Sequence, residues 1–254
     1  MEILLGFAIA ALIAMTGVGA GTITAPLLIL FLHLPVEAAV GTALAYSAAV
    51  KLVVVPAQIW RRNVEWRVLG AMLLTGIPGV VLGSMVFKRM ARSESNTLWL
   101  YLALGAMIAL CSAWCIFRHF RPADAGGSRH YRPGWLALSM LPVGAEVGFS
   151  SSGAGALGTL ALLGFTPLDT PRVVGTDLAF GLCIALIGGG MHFSYGGIDP
   201  VLLSRLLAGG LLGALAGNSI APRIPARAMR LALSVWLFGM GMEICWHALA
   251  GARG

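Results

Sequence analysis

The chain has 254 residues, of which 58% are hydrophobic and only 11% are charged. Since soluble domains carry roughly 25% charged residues, this composition excludes a soluble globular protein. The formal net charge of +7 would suggest nucleic acid binding in a soluble protein, but the basic residues here lie between long apolar runs. There they determine membrane topology, so we expect the lipid bilayer and no nucleic acid as a partner.

Successive apolar segments predict an all-α polytopic membrane protein. They cover residues 3–32, 38–60, 68–87, 97–117, 135–166, 173–195, 201–222 and 231–250. Most are near the roughly 20 residues that cross a bilayer as a helix. The first and fifth are too long, because about thirty helical residues extend ~45 Å against a hydrocarbon core of ~30 Å. Glycines interrupt both midway, at 17–21 and at 153–155.

An internal repeat relates the two halves of the chain at an offset of 134 residues. At this offset Gly19-Ala20-Gly21 aligns with Gly153-Ala154-Gly155, and Val40-Gly41-Thr42 aligns with Val174-Gly175-Thr176. We therefore expect two homologous repeats of about four hydrophobic segments each. The first covers residues 1–120 and the second covers 135–254, with a linker over 121–134.

The distribution of basic residues favours inverted repeats, because cytoplasmic loops are enriched in Lys and Arg. If the first and fifth segments each cross the membrane once, nine Lys and Arg residues of the loops lie on one side of the membrane and seven on the other. If both segments are re-entrant hairpins, the division is eleven against five. We therefore expect three crossings in each half, both termini in the periplasm, and the polar stretch Arg118–Gly134 in the cytoplasm.

The two glycine interruptions indicate a binding site for an anion. Gly-interrupted segments at corresponding positions of two halves are typical of transporter sites. Irregular backbone survives in a membrane only where it is buried in protein or lines a cavity. The N–H groups that begin the next half-helix, from Thr22 onward, and the helix dipole favour an anion. The alternative is that the glycines only allow close helix packing while neighbouring hydroxyls cap helix ends.

The predicted site combines the two glycine loops with nearby hydroxyls and a buried cation. Lys51 lies near the centre of its segment, where a charge is a functional candidate by default. Thr42 and Thr176 are expected to begin the next helices, either as caps or as ligands. The predicted substrate-binding residues are Thr16, Gly19, Ala20, Gly21, Thr22, Thr42, Lys51, Ser151, Ser152, Gly153, Ala154, Gly155 and Thr176.

Two buried acids, Glu146 and Asp177, are candidates for coupling transport to a proton. Lys51 either pairs with one of them to hold the halves together, or attracts an anion while a carboxylate carries the proton. His192, at a helix end, is expected at the membrane interface. The four cysteines are expected to be small core residues, since no histidine or carboxylate completes a metal site with them. We expect no metal and no cofactor.

The repeated motifs resemble a known transporter family. "GVGAGTITAPLLIL…AAVGTALAY" and "SSGAGALGTLALLGF…RVVGTDLAF" are similar to the two halves of the TauE/SafE family of sulfite and organosulfonate exporters. "RRNVEW" and "YGGIDP" are similar to a loop of its repeat. The resemblance implies a secondary transporter of the bacterial inner membrane that moves small sulfur oxyanions such as sulfite or sulfoacetate. It also implies coupling to an ion gradient, and export is favoured over uptake.

Two alternatives to a carrier remain open at this point. The first is an anion channel of the same architecture. The second is a membrane-embedded sulfur enzyme, which the sequence disfavours because no Cys–His set lies at ligand or triad spacing. The sequence carries no nucleotide-binding or hydrolytic motif, so we expect no enzymatic activity. It makes no prediction of the oligomeric state.

Overall fold

The computed structural model describes residues 2–16, 20–92, 97–120, 131–152, 155–194, 198–220 and 226–251. All regular structure in these ranges is helical. The helices are α1 (Glu2–Thr16), α2 (Ala20–Leu32), α3 (Val36–Trp60), α4 (Trp66–Ala91), α5 (Thr97–Phe120), α6 (Pro133–Ser150), α7 (Ala156–Phe165), α8 (Thr170–Ser194), α9 (Pro200–Ile220) and α10 (Ala226–Gly251).

Six helices within the described ranges are long and apolar enough to cross a membrane. They are Val36–Trp60, Trp66–Ala91, Leu98–Phe117, Thr170–Ser194, Pro200–Gly217 and Leu231–Ala250. The prediction of a polytopic α-helical membrane protein is therefore confirmed.

Neither over-long apolar segment is one helix. The first is divided into α1 and α2, with 15 and 13 residues, and the fifth into α6 and α7, with 18 and 10 residues. At ~1.5 Å per residue, each of these helices is shorter than the ~30 Å hydrocarbon core. The division falls at the two predicted glycine interruptions.

The surface and the interior reverse the pattern of a water-soluble protein. Large apolar side chains point outward on every candidate span, with Trp60 at 86% exposure and Trp246 at 72%. Hydroxyl, carboxylate, ammonium and imidazole groups are instead buried within the bundle. Such an extended apolar surface suits contact with lipid tails. The polar interior is where a functional site is expected.

Glycines let helices α4 and α6 pack backbone against backbone. The α6 backbone at Leu141 and Ala145 occupies the space that a Cβ atom would need at Gly79 and Gly83. The contact moves four residues forward on both helices, from Gly79 with Leu141 to Gly83 with Ala145, so α4 and α6 run parallel. The pair α1 and α9 packs in the same way, with Gly209 against Ile3 and Gly213 against Phe7.

Helices α3 and α8 run antiparallel at the centre of the molecule. Gly175, early in α8, lies against Asn63, which follows the end of α3. Gly189, late in α8, lies against Ala45, early in α3. Helices α5 and α10 are also antiparallel, because Gly105 lies beside Cys245 while Ala109 lies beside Gly241.

The two ends of the α6–α7 segment lie next to each other. The backbone N–H of Arg132, just before α6, donates to the carbonyl of Phe165, the last residue of α7, at 3.0 Å. Helix α7 therefore returns toward the side from which α6 starts.

Candidate functional site

The breaks in the two over-long segments meet inside the bundle. Gly21, in the first turn of α2, lies so close to Ser151 that the carbonyl and hydroxyl of Ser151 fill the space of an added Cβ atom. Ser151 follows the end of α6 in a left-handed conformation, with φ 63°, and its N–H donates to the carbonyl of Val147 at 2.8 Å. This conformation costs a non-glycine residue on the order of 1 kcal/mol and is frequent at functional sites.

Hydroxyl groups beside Ser151 connect this junction to a buried acid. Ser152 Oγ donates to Glu146 Oε1 at 2.7 Å and lies 2.6 Å from Ser150 Oγ. Ser150 Oγ in turn donates to the backbone carbonyl of Glu146 at 3.0 Å. Cys111 Sγ, on α5, donates to Glu146 Oε1 at 3.0 Å. The end of α6 is thus held by a closed network of hydrogen bonds.

Some buried polar atoms of the predicted site residues have no hydrogen-bond partner. Within the described part of the chain they include Glu146 Oε2, Ser151 Oγ and Thr42 Oγ1. An unsatisfied buried polar group costs about 1–3 kcal/mol, so its presence calls for a functional explanation.

A second buried charge cluster joins three helices. Lys51 on α3 is 4% exposed and interacts electrostatically with Asp177 on α8. Thr159 Oγ1, on α7, donates to Asp177 Oδ2 at 2.8 Å, and Gly158 leaves room for the same carboxylate. Of the two acids considered for Lys51, Asp177 is the one with which it interacts electrostatically, while Glu146 has Ser152 and Cys111 as neighbours.

Thr176 has a different environment from its counterpart Thr42. Its Oγ1 accepts a hydrogen bond from the backbone N–H of Glu65 at 3.0 Å, which ties α8 to the α3–α4 connection. Arg172 lies 3.7 Å from the Glu65 carboxylate in the same region. This arrangement gives Thr176 a structural role, whereas Thr42 keeps an unpartnered hydroxyl.

The expectation that Thr42 and Thr176 begin their helices is wrong. Helix α3 begins at Val36 and α8 at Thr170, six residues earlier in each case. Proline suits a helix start because its fixed φ matches the first turn. Pro35 and Pro171 therefore place the helix starts upstream of the "VGT" motifs.

His192 lies near the end of α8, as expected. Its side chain is buried inside the protein, however, with an exposed fraction of 1%. Its Nε2 lies 3.1 Å from the carbonyl of Gly148 on α6, and its ring packs on Phe87 with centroids 4.9 Å apart. It borders a cavity of about 300 Å³ that is lined by Glu37, Phe87, Lys88, Ala91, Arg92, His192 and Ser194.

The other predicted residues differ in how much the structure describes. Gly19, Gly153 and Ala154 lie outside the described residues. Thr16, Ala20 and Thr22 are helical, and only their backbone is described. Gly155 precedes α7 directly. The described side chains of the predicted set are all buried: Thr42, Lys51, Ser151, Ser152, Thr176, Glu146 and Asp177.

Sequence reasoning missed the contributions of Cys111 and Thr159. Cys111 lies 35 residues from Glu146 in the chain, and nothing in the spacing of the two links them. A signal did exist for Thr159. The 134-residue offset aligns Thr159 with Ala25 and Asp177 with Ala43, so both partners of this hydrogen bond are polar only in the second half.

Comparison with known proteins agrees with the membrane architecture. The sequence model described as "Sulfite exporter TauE/SafE" matches residues 2–244. The chain is 27% identical over 255 residues to the probable membrane transporter protein YjnA of Bacillus subtilis (strain 168), covering 95% of this chain and 98% of that protein. It is 28% identical over 192 residues to the probable inner membrane transporter protein TsaS of Comamonas testosteroni, covering 73% and 74%.

No solved structure gives a significant match. Both relatives are named as transporters, in agreement with the prediction that the chain is not an enzyme. Because the family match covers nearly the whole chain, the protein belongs to the sulfite exporter TauE/SafE family of membrane transporters.

Proposed function

We propose that this protein is a secondary transporter that moves a small sulfur-containing oxyanion across the bacterial inner membrane, in the direction of export. The anion is held near the midplane, between the ends of the two broken segments. The single observation that carries the proposal is the junction of Gly21 with Ser151, which joins both breaks among buried polar groups.

The hydrogen bond between Arg132 N–H and the Phe165 carbonyl supports a re-entrant hairpin for α6 and α7. A single crossing would place these two residues on opposite sides of a hydrocarbon core of ~30 Å. The 3.7 Å ion pair of Arg172 with Glu65 gives the same support. If both over-long segments crossed the membrane, Arg172 and Glu65 would lie on opposite sides.

For α1 and α2 the support comes from helix directions. Helix α1 runs parallel to α9, and α3 runs antiparallel to α8. Because only residues 195–199 separate α8 from α9, consecutive spans must reverse direction there. It follows that α1 and α3 point the same way, so α2 between them runs back as the second arm of a hairpin.

Helix bounds and contacts support two repeats of opposite orientation. Helix α8 begins and ends 134 residues after α3, and these corresponding helices are antiparallel. One helix contact also recurs at the same offset. Gly79 lies against Leu141, and their counterparts at the 134-residue offset, Gly213 and Phe7, lie against each other. An inverted repeat produces both relationships, and a parallel repeat would make α3 and α8 parallel. In this arrangement both termini are periplasmic and the linker is cytoplasmic.

The proposed site can balance a negative charge with several donors. The first N–H groups of α2 and α7 and their helix dipoles favour an anion, and α2 begins one residue before Gly21. The buried hydroxyls of Ser151 and Thr42 have no hydrogen-bond partner among the residues that the structure describes, and they are able to donate to oxyanion oxygens. Lys51 adds a buried cation, which Asp177 partly neutralises.

The chemical class of the substrate rests on the family. The family is described as sulfite exporters, and one relative is named a probable inner membrane transporter. A small oxyanion also suits a site that is built from backbone N–H and hydroxyl groups.

Counterflow of labelled sulfite in proteoliposomes tests the proposal. Saturable exchange that unlabelled sulfite, thiosulfate or methanesulfonate inhibits is the expected result. Ohmic currents without saturable exchange would instead favour an anion channel. A sulfur compound altered by the purified protein without a membrane gradient would favour an enzyme.

A further inference from the structure

Glu146 is an acid buried near the end of α6, and no cation among the described residues forms an ion pair with it. It is 5% exposed. Its Oε1 accepts from the Ser152 hydroxyl and from the weaker thiol donor of Cys111. Its Oε2 is buried and has no hydrogen-bond partner in the described part of the chain.

This environment suits a neutral carboxylic acid better than a carboxylate. An ionised carboxylate needs several donors or a cation to compensate for lost hydration. The hydrogen bonds to Oε1 leave the second oxygen free to carry a proton. The O–H group at Oε2 would then require an acceptor.

The network at the end of α6 places this acid next to the proposed anion site. Ser152, which donates to Oε1, follows Ser151 directly, and Ser151 touches Gly21. A negative charge on Glu146 would repel an anion bound at the Gly21–Ser151 junction, whereas a neutral Glu146 would not. An anion there also offers the acceptor that Oε2 lacks.

We propose that Glu146 binds one proton together with the transported anion and releases it when the anion leaves. This inference rests on the proposed function and adds a proton that is exported together with the anion, so that the outward gradient of the anion drives the movement of both. The carboxylate takes the proton from water on the side where the site is open, and the neutral acid then accompanies the anion. On the other side the anion and the proton are both released to water.

Other titratable groups near α6 have different roles in this scheme. Cys115, one turn beyond Cys111 on α5, interacts electrostatically with Glu146. His192 on α8 contacts the Gly148 carbonyl rather than the carboxylate. Asp177 on α8 interacts with Lys51 and accepts from Thr159. These groups are the same in wild type and in a variant changed only at Glu146, so their effect on the pH dependence of anion binding cancels in that comparison.

Binding measurements test the coupling independently of transport direction. Sulfite, thiosulfate and methanesulfonate are titrated into the purified protein between pH 5 and pH 8, and the same is done with Glu146→Gln. Wild-type affinity, relative to that of Glu146→Gln, is expected to fall by about tenfold per pH unit once Glu146 ionises. The titration of sulfite itself is common to both proteins and cancels.

Glu146→Gln is expected to keep tight binding at high pH, because the amide resembles the neutral acid. Glu243→Gln is the matched control, since Glu243 is an exposed acid on α10, and it should behave as wild type. Equal pH dependence in wild type and Glu146→Gln would overturn the proposal.

A proton count on wild type needs no variant. Binding of methanesulfonate in weakly buffered solution with a pH indicator should take up about one proton per anion at a pH where Glu146 is ionised. Binding without proton uptake across the whole pH range would exclude Glu146 as the proton site while leaving the proposed function intact. If none of the three anions binds at any pH, the proposed function itself is wrong.

Discussion

Gly21 lies directly against the carbonyl and hydroxyl of Ser151, although 130 residues separate the two in the chain. The contact leaves no space for a side chain on α2 at this point. Gly21→Ala should therefore force the start of α2 away from the end of α6 and abolish sulfite counterflow. Gly190→Ala is the matched control, because a Cβ atom there meets open space, and it should transport normally. Normal transport by Gly21→Ala would show that the junction can separate without loss of function.

Ser151→Gly should weaken anion binding without lowering the stability of the protein. Glycine adopts the left-handed conformation of residue 151 readily, so the thermal unfolding temperature should stay constant or rise slightly. The lost hydroxyl should weaken anion binding by roughly twofold to tenfold, which corresponds to one hydrogen bond of about 0.5–1.5 kcal/mol. Calorimetric titration measures this change. An unchanged affinity would remove the Ser151 hydroxyl from the site.

Lys51 and Asp177 should be coupled in stability. Removing one partner of a buried pair leaves an uncompensated charge and typically costs about 3–5 kcal/mol. We expect Lys51→Ala and Asp177→Ala to be strongly destabilised, and the double variant to recover much of this loss. Thermal unfolding in detergent measures the stability of the two single variants and the double variant.

The exposed pair of Arg205 with Glu2 is the control, since surface pairs contribute about 0–1 kcal/mol. Anion binding by the double variant then decides whether Lys51 also contacts the substrate, and additive losses would exclude the pairing.

Thr42→Val and Thr176→Val should have different effects, although the two residues correspond in the repeat. Thr176→Val leaves the part-buried N–H of Glu65 without its acceptor, so stability should fall by about 0.5–1.5 kcal/mol. Thr42→Val removes a hydroxyl that has no partner among the described residues, so it should keep the wild-type unfolding temperature and bind the anion less tightly. Equal loss of stability in both variants would contradict this difference.

Cysteine labelling tests the membrane topology. Leu34, between α2 and α3, and Asp169, just before α8, are replaced singly by cysteine in a background without the four native cysteines. Two hairpins place position 34 in the periplasm and position 169 in the cytoplasm. An impermeant maleimide added to intact spheroplasts should therefore label only position 34. Labelling of both positions from the same side would mean that both over-long segments cross the membrane.

Sequence periodicity and length were sufficient for much of the fold. The apolar segments and the glycine interruptions located the spans and the two breaks, because bilayer thickness limits how long a helix can be. The "VGT" motifs misplace the starts of α3 and α8, because these helices begin upstream, beside Pro35 and Pro171.

The interior of the site was harder to predict. That Lys51 lies near Asp177, and that Glu146 lies near Cys111, depends on how helices from different halves face each other. Helical spacing fixes which side chains share a face of one helix, but it does not determine which face meets another helix.

The bare glycine contacts between α1 and α9 have a consequence for biogenesis. Gly6 packs on the backbone of Leu206, so α1 meets α9 only after α2 to α8 have been synthesised. Until then the face of α1 that contains Gly6 contacts the translocon or lipid instead of α9. The contact between α1 and α9 therefore forms only after α9 has been inserted, and a chain stalled before α9 would leave this face of α1 without its partner.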